Sequence, residues 1–164
     1  MAVVIPTLNE ELHIKNCIDS IISQSFPFAQ MDLMVIDGGS TDKTREIVKS
    51  IAEQYSNVRL LDNPKRIQSV AFNVGAANSS APYIVRLDAH ALYKPKYIEL
   101  CVKHLESNKE IGDVGGVWDI QPQNGGLIPE TNAIINKSRF GIGGAAYRVG
   151  AEAEYEPSNT DASY

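Results

Sequence analysis

Short apolar runs alternate with longer stretches of helical periodicity. Ala2 to Ile5, Leu33 to Ile36, Val58 to Leu61 and Tyr83 to Leu87 are mostly apolar, and each gives way to polar or turn residues. Runs of that length suit buried strands. Between the first two, Leu12, Ile14, Cys17, Ile18, Ile21 and Ile22 recur at helical spacing. Asn9 is the expected N-cap of that helix, with Glu10 and Glu11 in its first turn. Ile47, Val48, Ile51 and Ala52 give the inner face of a second helix, capped by Ser40 or Thr41. A third, built of small residues, fits from Ile67 to about Asn78. Val70, Ala71, Val74 and Ala77 share one of its faces, and Gly75 permits close packing. Tyr97, Ile98, Cys101, Val102 and Leu105 mark a fourth helix, and Val114 to Trp118 a further strand.

This alternation predicts an α/β fold with a mainly parallel sheet and helices on both faces. Right-handed crossovers bring the strand ends at 6–10, 37–40 and 88–90 to one edge of the sheet. Ligands in open α/β sheets bind at that carboxyl edge. After Asp119 the pattern changes to glycine-rich sequence with few apolar runs, and a helix is expected only around Thr131 to Ser138. Residues 1–120 therefore read as one functional half. Residues 121–164 read as the start of a second region, partly flexible and continuing beyond Tyr164.

At 164 residues the chain is long enough for one domain or a large piece of one. Its net charge of −5 argues against a nucleic-acid binder, which would carry a basic face. No apolar run approaches the ~20 residues of a membrane-spanning helix. The two cysteines, Cys17 and Cys101, lie on apolar helical stripes without metal-like spacing. They read as reduced core thiols, and a cytoplasmic location is expected.

Candidate chemistry gathers at the strand ends. Asp88 and His90, two residues apart after the fourth strand, offer a carboxylate oxygen and an imidazole nitrogen to one divalent ion. A hydrogen-bonding histidine in a loop is the plain alternative. Asp37, before Gly38, Gly39 and Ser40, could accept from a ribose or base, or could simply brace the turn. Lys65 and Arg66 could reach phosphates or form a solvated basic turn. No GxxxxGK[ST] or strand-linked GxGxxG is present, so glycine N–H groups do not cradle a diphosphate. Any bound diphosphate then requires a cation, Mn²⁺ suiting a mixed oxygen and nitrogen donor set better than Mg²⁺. A G-x-S-x-G elbow is likewise missing.

Three segments, taken in order, resemble the inverting family-2 glycosyltransferases of the GT-A fold. They are Val4 to Glu11, Val35 to Thr44 and Leu87 to Ala91. The Asp88-Ala89-His90 version, followed by Gly115-Gly116-Val117-Trp118, is most similar to the succinoglycan-type exopolysaccharide branch. The resemblance covers residues 2–120. It implies a Rossmann-like sheet, a nucleotide-diphosphate sugar donor (a UDP-sugar), Mn or Mg as cofactor, and transfer with inversion. It implies a saccharide or lipid-linked acceptor, polysaccharide biosynthesis, and a cytoplasmic place at the inner face of the membrane with peripheral association. By position, Pro6, Thr7 and Glu10 would line the nucleoside pocket. Asp37 would contact the base, Arg66 would lie near the nucleotide, and Asp88 would meet the ribose or the metal-bound diphosphate. His90 replaces the second carboxylate of the usual Asp-x-Asp. The family's general base, an Asp further along, has no match here, and the catalytic base is expected beyond residue 164. A non-catalytic nucleotide-sugar module and another nucleotide-dependent transferase are the competing readings.

Overall fold

The computed structural model of the chain describes residues 1–116. Four parallel strands form one sheet in the order β3-β2-β1-β4, where β1 is Ala2–Thr7, β2 Asp32–Asp37, β3 Val58–Asp62 and β4 Ile84–Arg86. The register pairs Thr7 with Asp37 and Asp37 with Asp62, so three strand ends stand in one row. Four helices follow the strands: α1 Ile14–Ile22, α2 Thr44–Gln54, α3 Gln68–Ala77 and α4 Tyr97–Ser107. Phe28–Gln30 is a single 3-10 turn. The chain divides into two compact units, Met1–Ser107 and a second beginning at Asn108.

Period-two alternation in the strands builds two cores, one on each face. Val3, Ile5, Leu33 and Val35 pack with Ile14, Ile18 and Ile21 of α1, Val48 of α2, and Ile98 and Val102 of α4. The alternate residues Ala2, Val4, Met34 and Ile36 pack with Ala71 of α3. Helices therefore cover both faces, as the pattern predicts. Gly75 lets α3 approach closely: a Cβ there would lie 2.4 Å from Val4 Cγ2.

Four local expectations are corrected. β4 is shorter than Tyr83–Leu87 and is not a buried strand, since Ile84 and Arg86 are exposed. Among the described strands it pairs with β1 alone, which leaves it an edge. Leu87 still donates its N–H to Val4 O (2.9 Å) and is buried, so the chain stays pinned to β1 up to the site. α1 begins at Ile14, not after Asn9; Leu12 is 78% exposed. Asn9 sits at φ 54° and reaches across to the next loop instead of capping a helix. α2 begins at Thr44, past Ser40 and Thr41, and the Asp42 carboxylate accepts the Thr44 N–H (3.0 Å). Val114 to Gly116 form no strand; residues 117 and 118 and the helix expected near 131–138 lie outside the described residues.

Candidate functional site

The chain runs from β1 to β2 to β3 on one side of β1, then returns to place β4 on the other side. The order reverses between β1 and β4, and such a switch point opens a crevice beyond the carboxyl ends of the strands. A cleft of about 200 Å³ lies there. It draws Pro6, Thr7, Leu8 and Glu10 from the end of β1, and Asp88, Ala89 and His90 from the end of β4. Gly38 comes from the end of β2, and Asn63, Arg66, Ile67 and Gln68 from the segment between β3 and α3. A larger hollow of about 380 Å³ lies at the amino ends, beside Met1, Asp32 and Ala81. Its carboxylate, Asp32, is engaged by Arg59 (2.5 Å), so it offers no comparable convergence of chemistry.

Six of the seven expected site residues line this one cleft: Pro6, Thr7, Glu10, Arg66, Asp88 and His90. Asp37 does not. Its side chain is fully buried, and its carboxylate accepts the Gly39 N–H (3.0 Å), the Ser40 N–H (3.1 Å) and the Ser40 hydroxyl. Arg45 Nη1 lies 2.6 Å from Asp37 Oδ2 and 2.7 Å from Asp62 Oδ1. Asp37 thus stands behind the cleft wall, with Gly38 presented in its place. Burial pushes the Asp37 carboxyl up, but hydrogen bonds from Ser40, Arg45 and Gly39 outweigh it and hold the group below its ordinary range.

The loops that shape the cleft are stitched to each other. Asn9 donates its N–H to Ser40 Oγ (2.8 Å), and Asn9 Oδ1 accepts the Thr41 N–H (2.8 Å). Glu10 N–H meets Thr44 Oγ1 (2.8 Å), Glu11 N–H meets Asp42 Oδ2 (3.0 Å), and Lys43 N–H meets Glu11 Oε2 (2.9 Å). Backbone groups without a ladder partner are satisfied by side chains of the opposite loop. Arg66 holds an uncommon φ of 57°, and its guanidinium lies over Gly39, itself at φ 83°. Left-handed backbone at a non-glycine residue stores strain, and such strain gathers at ligand sites.

Asp88 is held from below. Its N–H donates to the Tyr93 hydroxyl (2.6 Å), and its carbonyl accepts from that hydroxyl (3.3 Å) and from Cys17 Sγ (3.4 Å). Burial, then the charges of Asp88 and Glu10, push the Cys17 thiol up to about 12, so it stays a donor. Burial likewise raises the Tyr93 phenol. The Asp88 carboxylate lies 3.7 Å from Arg86. His90 Nδ1 lies 3.0 Å from Glu10 Oε1.

Sequence reasoning missed Asn63, Ile67, Gln68 and Tyr93. Asn63 is 3% exposed, and its Oδ1 is the one buried side-chain polar atom without a partner among the described residues. Its signal was a polar residue at a strand end; Tyr93, an aromatic in a loop, gave none.

As for a metal, no three histidine, cysteine, aspartate or glutamate side chains among the described residues form a ready cluster. Asp88 and His90 line the same cleft and supply one oxygen and one nitrogen donor. That set fits a cation whose remaining ligands are phosphate oxygens and water, the usual arrangement when the ion is bound together with a nucleotide.

Known proteins share this chain's sequence pattern and fold. The model of "Glycosyl transferase family 2" matches residues 2–151. The succinoglycan biosynthesis protein ExoA of Rhizobium meliloti is 36% identical over 151 residues, covering 91% of this chain and 44% of that protein. The dolichyl N-acetyl-alpha-D-glucosaminyl phosphate 3-beta-D-2,3-diacetamido-2,3-dideoxy-beta-D-glucuronosyltransferase of Methanococcus voltae is 28% identical over 123 residues, 71% of this chain and 38% of that one. Among solved structures, the mannosyltransferase PcManGT of Pyrobaculum calidifontis, in complex with GDP-Man and Mn²⁺, superposes with a TM-score of 0.60 at 27% identity, over 75% of this chain and 36% of that one. S. aureus TarS 1-349 in complex with UDP gives a TM-score of 0.56 at 21% identity, over 65% and 32%. The chain spans less than half the length of these relatives. The fold is GT-A, and the chain belongs to glycosyl transferase family 2.

Proposed function

We propose that this chain is the donor-binding half of a glycosyltransferase that moves a sugar from a nucleoside diphosphate to a saccharide or lipid-linked saccharide, with inversion, in polysaccharide biosynthesis. The observation that carries the reading is convergence. Segments of the chain around residues 6–10, 63–68 and 88–90 meet in one cleft at the sheet's switch point. Pro6, Thr7 and Glu10 form the wall toward the nucleoside, beside Gly38 and Asn63. Leu8 and Ile67, 45% and 53% exposed, offer apolar surface to a base. Arg66 brings a cation with no ion partner among the described residues, suited to a phosphate oxygen. Asp88 and His90 would hold the Mn or Mg ion, which neutralises the leaving diphosphate when bound. Similarity to a UDP complex and to a GDP-Man and Mn²⁺ complex supports a nucleotide-sugar ligand; UDP is our choice within that class.

Inversion requires one direct displacement: the acceptor oxygen bonds to the anomeric carbon as the bond to the diphosphate oxygen breaks. A base must take the acceptor hydroxyl's proton. No cleft residue is assigned that role, and we place the base beyond residue 164. Donor half 1–120 and acceptor side 121–164 remain the division we propose. Action at the cytoplasmic membrane face, as a peripheral protein, fits a lipid-linked acceptor. No helix among the described residues is long and apolar enough to cross a membrane.

Calorimetric titration of the 164-residue chain with UDP, GDP, CDP and ADP in Mn²⁺ tests the reading. UDP should bind tightest. Absence of binding by all four would sink the donor-site assignment, and a preference for GDP would correct the base.

A further inference from the structure

His90 and Glu10 lie eighty residues apart in sequence and meet at the cleft, Nδ1 to Oε1, at 3.0 Å. Glu10 is 19% exposed and His90 61%. The Glu10 backbone is fixed: its N–H meets Thr44 Oγ1, and its carbonyl accepts from His13 and Ile14 (both 2.9 Å). Its carboxylate has no other hydrogen-bond partner among the described residues. An ionised carboxylate only accepts hydrogen bonds, so the proton between the two sits on Nδ1. In the neutral ring that leaves Nε2 with its lone pair. Metal-binding histidines are commonly oriented in this way, one nitrogen donating to a carboxylate while the other faces the ion.

We propose that Glu10 is the positioning residue of His90, holding the imidazole in the Nδ1–H tautomer so that Nε2 serves as a nitrogen ligand to the cation at the nucleotide diphosphate. This rests on the donor-site reading above and adds a role for Glu10 that lining the nucleoside pocket does not imply. It also explains how a histidine can stand where a second carboxylate is usual. The carboxylate is still there, one shell further out, where it orients the ring. A nitrogen donor also tilts the site from Mg²⁺ toward Mn²⁺.

The test is electron spin-echo envelope modulation of the Mn²⁺–UDP complex of the full chain, together with Mn²⁺ affinity measured in saturating UDP. Wild type should show modulation from a coordinated imidazole nitrogen, and His90→Ala should lose it. Glu10→Ala should weaken the signal and lower Mn²⁺ affinity about 10-fold to 100-fold, the usual cost of losing an outer partner. Glu10→Gln keeps an amide oxygen that accepts the Nδ1 proton and should recover most of both, whereas Glu10→Met, of similar size but with no strong acceptor, should not; a packing role alone would let both variants recover. It also carries the comparison if Glu10→Ala fails to fold. A wild-type complex without nitrogen modulation overturns the proposal and leaves His90 as a direct phosphate donor. Unchanged Mn²⁺ affinity in Glu10→Ala overturns it too. If wild type binds no UDP in Mn²⁺, the donor-site reading fails and this inference falls with it; UDP binding without the nitrogen signal sinks this inference alone.

Discussion

The Asp37 carboxylate accepts from two backbone N–H groups and lies against Arg45, while contributing nothing to the cleft surface. Its work is to hold the 38–41 turn, which in turn accepts and donates to Asn9. Asp37→Ala should therefore destabilise the fold by about 2 kcal/mol, because the Gly39 and Ser40 N–H groups lose their acceptor while Arg45, partly exposed, keeps Asp62. Chemical denaturation measures this. The acid side follows from the lowered pKa. A carboxylate with a depressed folded pKa stabilises the protein above its ordinary value of 3.8, and that stability disappears as pH falls through the folded value. Asp37→Asn should flatten the loss of stability below about pH 4 relative to wild type. That Asp88 and His90 stand at the sheet's carboxyl edge was legible in the sequence, because they follow an apolar run that continues into a strand beside β1. The burial of Asp37 was not legible, since a turn-bracing and a ligand-facing aspartate share the same sequence. Nor was Asn63, whose unpaired oxygen appears only when its neighbours are in place. Cys17, buried with its thiol pushed to about 12, should resist alkylation in the folded chain and react only on unfolding.

Among the elements, α3 decides the depth of the cleft. It lies against β1 through Gly75, and its first turn brings Gln68 and Ala71 to the cleft. Gly75→Ala would gain helix propensity of roughly 1 kcal/mol, yet force a Cβ to 2.4 Å from Val4 Cγ2. Overpacking of that kind costs about 1–3 kcal/mol. Thermal melts should show Gly75→Ala less stable than wild type, and Val4→Ala combined with it should recover part of the loss. Recovery in the double variant separates a steric cause from a loss of glycine flexibility. β1 and β2 were legible to within two residues because central parallel strands are apolar on both faces, and β3 was legible to within one although it ends the sheet among the described strands. β4 was overextended because Leu87 is buried by contacts beyond the ladder. The start of α1 was misjudged for a related reason. Asn9 looks like an N-cap in isolation, but Ser40 and Thr41 offer its backbone and side chain better partners across the sheet edge.

For the molecule as a whole, the strand order explains why three distant polar segments become one site. Parallel topology puts every strand's carboxyl end on one edge, and the reversal between β1 and β4 opens the crevice there. The alternation of elements carried that much of the fold in the sequence. Which end residues face the crevice was decided by loop-to-loop hydrogen bonds that no periodicity encodes. By our proposal this crevice binds a nucleoside diphosphate through a cation held by Asp88 and His90. The most direct measurement is calorimetry with UDP on the wild-type chain and on Asp88→Ala, each in Mn²⁺ and in EDTA. Wild type should bind at least tenfold more tightly in Mn²⁺ than in EDTA, and Asp88→Ala should lose that difference while keeping its wild-type melting temperature. Equal affinity in Mn²⁺ and EDTA, or an Asp88→Ala chain that binds as wild type does, would mean that no cation at Asp88 and His90 holds the nucleotide.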